Sequence, residues 1–125
     1  MDLNCDIGEG FGRWRRPYDA ELMELVTTAS VAAGFHAGDP TVIRSTVDKA
    51  VAEGLDMGVH VALPDLLGFG RRAVAISSAE LRDYCTHQIG AVAAFVTAAG
   101  AVLTHVEPHG ALYAMASRDP DMVGR

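Results

Sequence analysis

The sequence predicts an α/β fold built on parallel β-strands. Short apolar segments that suit buried strands alternate with longer segments in which apolar residues recur every three or four positions, and the alternation repeats four times. Glycines and prolines separate the segments, as is usual where strands and helices succeed one another. Parallel strands joined in this way need crossover connections, which are almost always right-handed.

Length and composition are those of one α/β domain spanning residues 1–125, with 50% hydrophobic residues and a mean hydropathy of +0.18. No apolar run approaches the roughly 20 residues that a membrane span needs. Residues 1–4 have neither the basic segment nor the apolar core of a signal peptide, so we expect a cytoplasmic protein. Cys5 and Cys85 lack the spacing of a thiolate metal site or a disulfide framework, and we expect both to be buried thiols.

The net charge of −6 argues against a nucleic-acid partner, because the chain has no cationic excess to displace counterions from phosphates. Nine of the ten cationic residues are arginines, whose planar guanidinium groups suit carboxylates and phosphates. The clusters of Arg13, Arg15 and Arg16 and of Arg71 and Arg72 are therefore candidate contacts for small anions.

The first predicted strand, residues 3–7, alternates apolar and polar side chains and ends at a glycine-rich loop, residues 8–12. This loop is not a dinucleotide-binding fingerprint, because Arg13 stands where the last glycine is required, and no Walker lysine follows. Asp6 lies at the strand end, where its carboxylate faces whatever the strand ends surround. A helix with acidic residues near its start is predicted over residues 18–26.

The second predicted strand, residues 30–33, leads into the segment 34–40, which joins it to a helix. Asp39 can cap this helix, and the helix is predicted to stop at Gly54. His36 lies in the same turn, at the carboxyl end of the strand, where α/β proteins bind ligands. An ordinary helix cap with a hydrogen-bonded loop histidine also explains this segment when it is taken alone.

The third predicted strand, residues 57–61, contains a second histidine, His60, near its end. It precedes a loop, residues 64–72, that combines a carboxylate, paired glycines and paired arginines. We expect this loop to border the same site.

The longest predicted helix begins with a capping box at Ser77 and ends at Gly100. The fourth strand is predicted over residues 101–106 and is followed by a histidine-containing loop, residues 107–113. Caps in residues 117–122 predict the start of one more helix.

Four ionisable residues lie at or just after the carboxyl ends of the four predicted strands. Parallel strands bring those ends to one edge of the sheet, so residues far apart in sequence would meet there. Each has an ordinary structural explanation, but their convergence predicts a functional site. The predicted catalytic residues are Asp6, His36, His60 and His109.

The motifs in residues 2–12, 34–40, 64–72 and 108–113 together resemble those of the LamB/YcsF family, in the same order and over nearly the whole chain. The resemblance implies a distorted, seven-stranded β/α barrel similar to that of carbohydrate deacetylases. Family members are longer, so this chain would form about the N-terminal half of such a barrel. Half a barrel leaves strand edges and apolar faces to be covered by other chain segments.

The resemblance also implies an activity: ATP-dependent opening of the lactam ring of 5-oxo-L-proline to give L-glutamate, together with subunits B and C of bacterial 5-oxoprolinase. The implied cofactor is ATP with Mg²⁺, bound at a site shared with or supplied by the partner subunits, because this chain has no P-loop. No metal-ligating residues are predicted. Assembly into a homo-oligomer is a further expectation.

For this reaction we hypothesise that Asp6 or His36 activates water, while His60 and His109 protonate the leaving nitrogen or stabilise the developing oxyanion. Arg71 or Arg72 would hold the substrate carboxylate or a phosphate. The remaining predicted substrate-binding residues, taken from the motifs, are Asn4, Glu9, Asp39, Asp65 and Tyr113.

Four positions depart from the family pattern: Ala33 replaces cysteine, Val61 proline, Glu107 lysine and Ala114 asparagine. The exchange at Glu107 reverses a charge beside the predicted site. It therefore bears on activity more than on the fold.

Two other functions fit the sequence. A metal-dependent hydrolase related to the deacetylases could assemble ligands from Asp6, His36 and His60, although the residue four beyond His36 is Pro40 and an H-x-x-x-H pair is absent. The second is a truncated, non-catalytic member of the family.

Overall fold

The structure, a computed structural model, describes residues 1–119 and residue 122. Its core is a fully parallel, four-stranded sheet in which the order along the sheet follows the order along the chain. This confirms the predicted α/β class. The strands are β1 (Asn4–Ile7), β2 (Thr28–Ala32), β3 (Asp56–Val61) and β4 (Leu103–Pro108), and the helices are α1 (Asp19–Met23), α2 (Pro40–Ala52), α3 (Ser78–Ala98) and α4 (Gly110–Ala116).

The helix predicted over residues 18–26 is shorter in the structure. α1 ends at Met23, the buried residue of the helix, and Leu25 beyond it is 73% exposed. Without core contacts on Leu25, helix propensity alone does not extend so short a helix.

Ser117, in the segment predicted to start a further helix, instead ends α4, and the helix start itself stays a prediction. Residues 120 and 121 lie outside the described chain. α4 itself was not predicted, since Pro108 and Gly110 resemble a turn. Gly110 adopts a φ of 55° and so turns the chain sharply at the start of a segment rich in helix-forming residues.

The sheet has two chemically different faces because side chains alternate along each strand. On one face Ile7, Val31 and Val59 are fully buried, and α2 and α3 pack against the central strands. The other face carries polar and ionisable side chains: Asn4, Asp6, Ser30, His60, His105 and Glu107.

Within the described chain, β1 and β4 are the two edges of an open sheet. No helix in that part of the chain is both long enough and apolar enough to cross a membrane. Cys5 and Cys85, predicted to be buried, are half-buried free thiols, and burial raises the pKa of Cys5 to about 11.

A buried glutamine fastens α3 to the sheet. The carboxamide of Gln88 accepts a hydrogen bond from the backbone N–H of Ala62 at 2.8 Å and donates to the backbone carbonyls of Ala62 at 2.9 Å and Tyr84 at 3.0 Å. Ala62 directly follows β3, so this contact sets the position of α3 near the ends of the strands.

Gln88→Leu should lower the free energy of unfolding by about 2–4 kcal/mol, because both backbone groups of Ala62 would be buried without a partner. Urea denaturation measures the change. The exposed helix substitution Thr97→Ser should alter the same quantity by less than about 0.5 kcal/mol. Equal effects of the two changes would contradict this account of Gln88.

Candidate active site

The carboxyl ends of the strands bring together the four residues predicted to be catalytic. Asp6 lies in β1 and His60 in β3, whereas His36 follows β2 and His109 follows β4. The ring centroids of the three histidines are 3.8–5.3 Å apart. All three rings are buried, while the Asp6 side chain is 44% exposed.

His60 and His109 form a hydrogen-bonded pair, and each ring also has a backbone carbonyl as partner on its other nitrogen. These carbonyls determine where the ring hydrogens lie. Nδ1 of His60 lies 3.1 Å from the carbonyl oxygen of Glu107, and Nε2 of His109 lies 2.7 Å from that of Phe69. Carbonyl oxygens only accept, so both of these nitrogens carry hydrogen. A hydrogen bond between the two inner nitrogens, 2.9 Å apart, then needs one further proton, which would give the pair a single positive charge.

The position of Asp6 places that proton on His60. Burial lowers the pKa of His60, but the Asp6 carboxylate, 3.4 Å from its Nε2, and the carboxylate and carbonyl of Glu107 together hold that pKa above its usual value. Burial lowers the pKa of His109. His60 is therefore the proton donor of the pair, and its hydrogen bond in turn lowers the pKa of Asp6.

His36 belongs to a second pair, with Glu9 of the glycine-rich loop. Its Nε2 lies 3.0 Å from Glu9 Oε1, and the other oxygen of Glu9 lies 3.1 Å from Nη2 of Arg16. Burial alone would raise the pKa of Glu9, but His36 and Arg16 hold it below its usual value. In the described chain, Nδ1 of His36 is buried and has no hydrogen-bond partner.

The loop of residues 64–72 covers the histidines. The ring of Phe69 stands edge-on to those of His36 and His109, with centroids 5.2 and 5.1 Å away. Gly70 lies so close that a Cβ there would be 2.8 Å from Cδ2 of His109 and 2.9 Å from Cβ of His36. Phe69 has a φ of 55°, which is uncommon for a residue with a side chain. The loop therefore packs directly on the rings of His36 and His109.

Asp65 and Arg72, both predicted to bind substrate, are paired with each other at the base of this loop. Arg72 donates to Oδ1 of Asp65 from Nε at 2.9 Å and also from Nη2, and the N–H of Gly68 donates to the same oxygen at 2.9 Å. These contacts hold the loop in shape. Arg71 is exposed, and its guanidinium lies 5.8 Å from the centroid of Phe69.

Asp39 likewise has a structural role, since it caps α2 through the N–H of Val42 and accepts a second hydrogen bond from Gly12. Tyr113 is 62% exposed on α4. Asn4 lies on the polar face of the sheet and donates to Glu107 at 2.9 Å. None of these three residues is hydrogen-bonded to the buried histidines in the described part of the chain.

Sequence analysis identified Glu107 as a charge beside the predicted site, but not the side chains that surround it. Ser30 donates to the Glu107 carboxylate at 2.5 Å and lies 3.2 Å from Nε2 of His105. His105 reaches across β3 because Gly58 has no side chain: a Cβ there would lie 2.2 Å from its Nε2. The one signal available in the sequence was that a serine, a glycine and a histidine alternate with apolar residues along β2, β3 and β4. Arg16 was predicted only as a contact for small anions, and Phe69 only as part of the loop that borders the site.

Two groups of side chains offer donor atoms for a metal ion, each with atoms within 4.8 Å of one another: Glu9, His36, His60 and His109, and Asp6, His60 and Glu107. Imidazole and carboxylate donors suit ions of the zinc class. In the first group, however, the rings of His36 and His109 are stacked 15° from parallel. Lone pairs lie in the ring planes, so these two rings cannot both point at one ion unless the stack opens.

Two backbone amides of the glycine-rich loop are engaged within the chain and are not free to bind a phosphate. The N–H of Gly8 donates to Asp19 at 2.9 Å, and that of Gly12 donates to Asp39 at 2.7 Å. These amides are therefore occupied by carboxylates of the chain itself, in agreement with the missing fingerprint at Arg13.

A family model described as "LamB/YcsF family" matches residues 1–125. The chain belongs to this family. Among curated relatives it is 53% identical over 119 residues to the 5-oxoprolinase A subunit of Tolumonas auensis, covering 95% of this chain and 47% of the relative. It is 55% identical over 119 residues to the protein of the same name from Geobacillus kaustophilus, covering 95% and 46%.

A solved structure similar to this chain is that of the lactam utilization protein from Thermus thermophilus. It matches with a TM-score of 0.95 and 46% identity over 98% of this chain and 49% of that chain. The chain thus spans about half the length of the relatives that it matches.

Gly70→Ala should destabilise the chain by more than the strain of placing a side chain at a positive φ. Gly70 has a φ of 65° and close contacts with both histidines, whereas Gly54 has a φ of 69° and no atom within 4 Å of the position of a Cβ. Gly54→Ala is therefore a control for strain, with an expected cost of about 1–2 kcal/mol. Gly70→Ala should cost about 1–3 kcal/mol more and shift the ring resonances of His36 and His109. Equal losses of stability for Gly70→Ala and Gly54→Ala in thermal melts would contradict close packing of Gly70 against the histidines.

The ion pair of Asp65 with Arg72 should make the folded chain less stable in acid. Arg72 lowers the pKa of Asp65 to about 2, below its value in the unfolded chain, so its contribution is complete above about pH 4 and is lost as the pH falls towards 2. Asp65→Asn and Arg72→Gln should both flatten the dependence of the urea midpoint on pH between 4.5 and 2. Profiles parallel to that of the unaltered chain would show that the pair does not contribute.

Proposed function

We propose that this chain supplies the catalytic strand ends for hydrolysis of the lactam bond of 5-oxo-L-proline to L-glutamate, as the corresponding half of a 5-oxoprolinase A subunit. The names of its relatives support the reaction class. The observation that carries the proposal is the presence of a proton acceptor and a proton donor side by side. The proton acceptor is Nδ1 of His36, which has no hydrogen-bond partner in the described chain. The proton donor is the protonated pair of His60 and His109, whose His109 ring stacks on His36.

In the proposed reaction, His36 accepts a proton from water as the water oxygen attacks the lactam carbonyl carbon. Negative charge develops on the carbonyl oxygen and is stabilised by the positive charge shared by His60 and His109. The bond from carbon to nitrogen then breaks, and the nitrogen takes the proton of this pair to become the amine of glutamate. Return of the proton from His36 to the pair restores the site.

Asp6 is proposed to keep His60 charged rather than to act as the base, because its carboxylate already faces His60. Arg71, exposed and near Phe69, is the arginine proposed to hold the substrate carboxylate. Arg72, Asp39 and Asp65 are proposed to shape the surrounding loops. Asn4 and Tyr113 are proposed to contact substrate only at the margin of the site.

ATP with Mg²⁺ is proposed as the energy source, because a lactam is a poor electrophile and the assembly would couple opening of the ring by water to hydrolysis of ATP to ADP and phosphate. The occupied amides of the glycine-rich loop favour a nucleotide site on subunits B and C or between them and this chain. We propose that the assembly is cytoplasmic. We also propose that the remaining half of such a protein adds strands beside β1 and β4 and closes a seven-stranded barrel, since those edges are open.

A metal-dependent hydrolase is a second candidate, favoured by the donor atoms of Glu9, His36, His60 and His109. The near-parallel stack of His36 on His109 counts against it. One metal ion per chain in elemental analysis of the active protein would support this candidate, and full activity without metal would exclude it.

His36→Ala and His109→Ala should each reduce release of glutamate from 5-oxo-L-proline by at least about 100-fold, because each removes one side of the proton transfer. The assay combines this chain with subunits B and C, ATP and Mg²⁺. His87→Gln, which alters an exposed histidine on α3, is the matched control and should retain activity. Unchanged glutamate release in the alanine variants, with folding verified by circular dichroism, would refute these roles.

A further inference from the structure

We propose that Glu9 is a positioning residue for His36 and not a substrate ligand, and that Arg16 completes the unit. This inference rests on the proposed function for its kinetic consequence, because it concerns the proton acceptor of that reaction. Its structural part concerns the folded chain alone. It differs from the sequence-based expectation, which placed Glu9 among the residues that bind substrate.

Both oxygens of the Glu9 carboxylate are already in use. Oε1 lies 3.0 Å from Nε2 of His36, and Oε2 lies 3.1 Å from Nη2 of Arg16. The side chain is only 5% exposed, whereas that of Arg16 is 54% exposed. A substrate would have to displace a buried partner to reach Glu9, while Arg16 can be reached from solvent.

The backbone around Glu9 is held on both sides. The N–H of Gly8 donates to the carboxylate of Asp19 at 2.9 Å, and the carbonyl of Gly10 accepts from the N–H of Gly38 at 2.8 Å. Gly38 belongs to the same turn as His36. The carboxylate and the imidazole are therefore carried by two segments that are fastened to each other.

This geometry selects one tautomer of His36. An ionised carboxylate only accepts hydrogen bonds, so the hydrogen of a neutral ring must lie on Nε2, facing Glu9. Nδ1 is then left with its lone pair, buried and without a partner in the described chain. The ion pair with Arg16 stabilises the ionised form of Glu9 and so maintains this arrangement. A carboxylate that orients a catalytic imidazole in this way contributes to rate without touching the substrate.

The first experiment measures the tautomer directly by ¹⁵N NMR of the chain labelled in its histidine rings. In the unaltered chain, His36 should carry its hydrogen on Nε2. In Glu9→Gln, the carboxamide can present either an oxygen or an NH₂ group to that nitrogen, so the other tautomer should become populated. Glu9→Asp keeps the charge on a side chain one methylene shorter and should largely retain the original tautomer.

The second experiment separates positioning from substrate binding in the assay with subunits B and C. Glu9→Gln should lower kcat on the order of 100-fold and leave KM nearly unchanged, and Glu9→Asp should recover part of that loss. Glu24→Gln removes an exposed carboxylate paired with Lys49 and is the control for loss of charge alone. It should change neither the tautomer nor kcat.

The outcomes are distinct. A hydrogen on Nδ1 of His36 in the unaltered chain overturns the proposal without any variant, as does a Glu9→Gln chain that raises KM at constant kcat. If the NMR result is as expected but the unaltered chain does not hydrolyse 5-oxo-L-proline, the positioning of His36 by Glu9 stands and the proposed function fails. If Glu9→Gln does not fold, the tautomer of His36 in the unaltered chain and in Glu9→Asp tests the proposal instead.

Discussion

Parallel pairing of four short strands is the constraint on which the rest of this structure depends. Because β1, β2, β3 and β4 all run in one direction, their carboxyl ends lie at one edge of the sheet. Residues as distant in sequence as Asp6 and His109 become neighbours of His60 for this reason alone. An antiparallel arrangement of the same segments would distribute these residues over two opposite edges.

Burial then decides the chemistry of the converged residues. Polar groups inside a protein need hydrogen-bond partners, and each buried ring here has a partner that fixes one of its nitrogens. Backbone carbonyls of Glu107 and Phe69 hold the outer nitrogens of His60 and His109, while a carboxylate holds His36. The result is an asymmetric site: the rings of His60 and His109 are hydrogen-bonded to each other, whereas Nδ1 of His36 has no partner in the described chain.

The loop of residues 64–72 joins this chemistry to the packing of the chain. The pair of Asp65 with Arg72 holds the base of the loop, and Gly70 allows its backbone to lie directly on His36 and His109. On the other side of the sheet, Gln88 fastens α3 next to the end of β3. Contacts that stabilise the fold therefore also set the positions of the rings.

Much of this protein follows from local features of its sequence. Apolar periodicity and caps such as Asp39 and Ser77 predicted the α/β class and the two long helices, because these depend on neighbours a few residues away. The same pattern placed Asp6, His36, His60 and His109 at strand ends. Only the tertiary structure decided the partners of those residues, since hydrogen bonds such as that between Glu9 and His36 join segments 27 positions apart. The short α1 and the unpredicted α4 have the same cause: packing against distant segments determines where marginal helices end and begin.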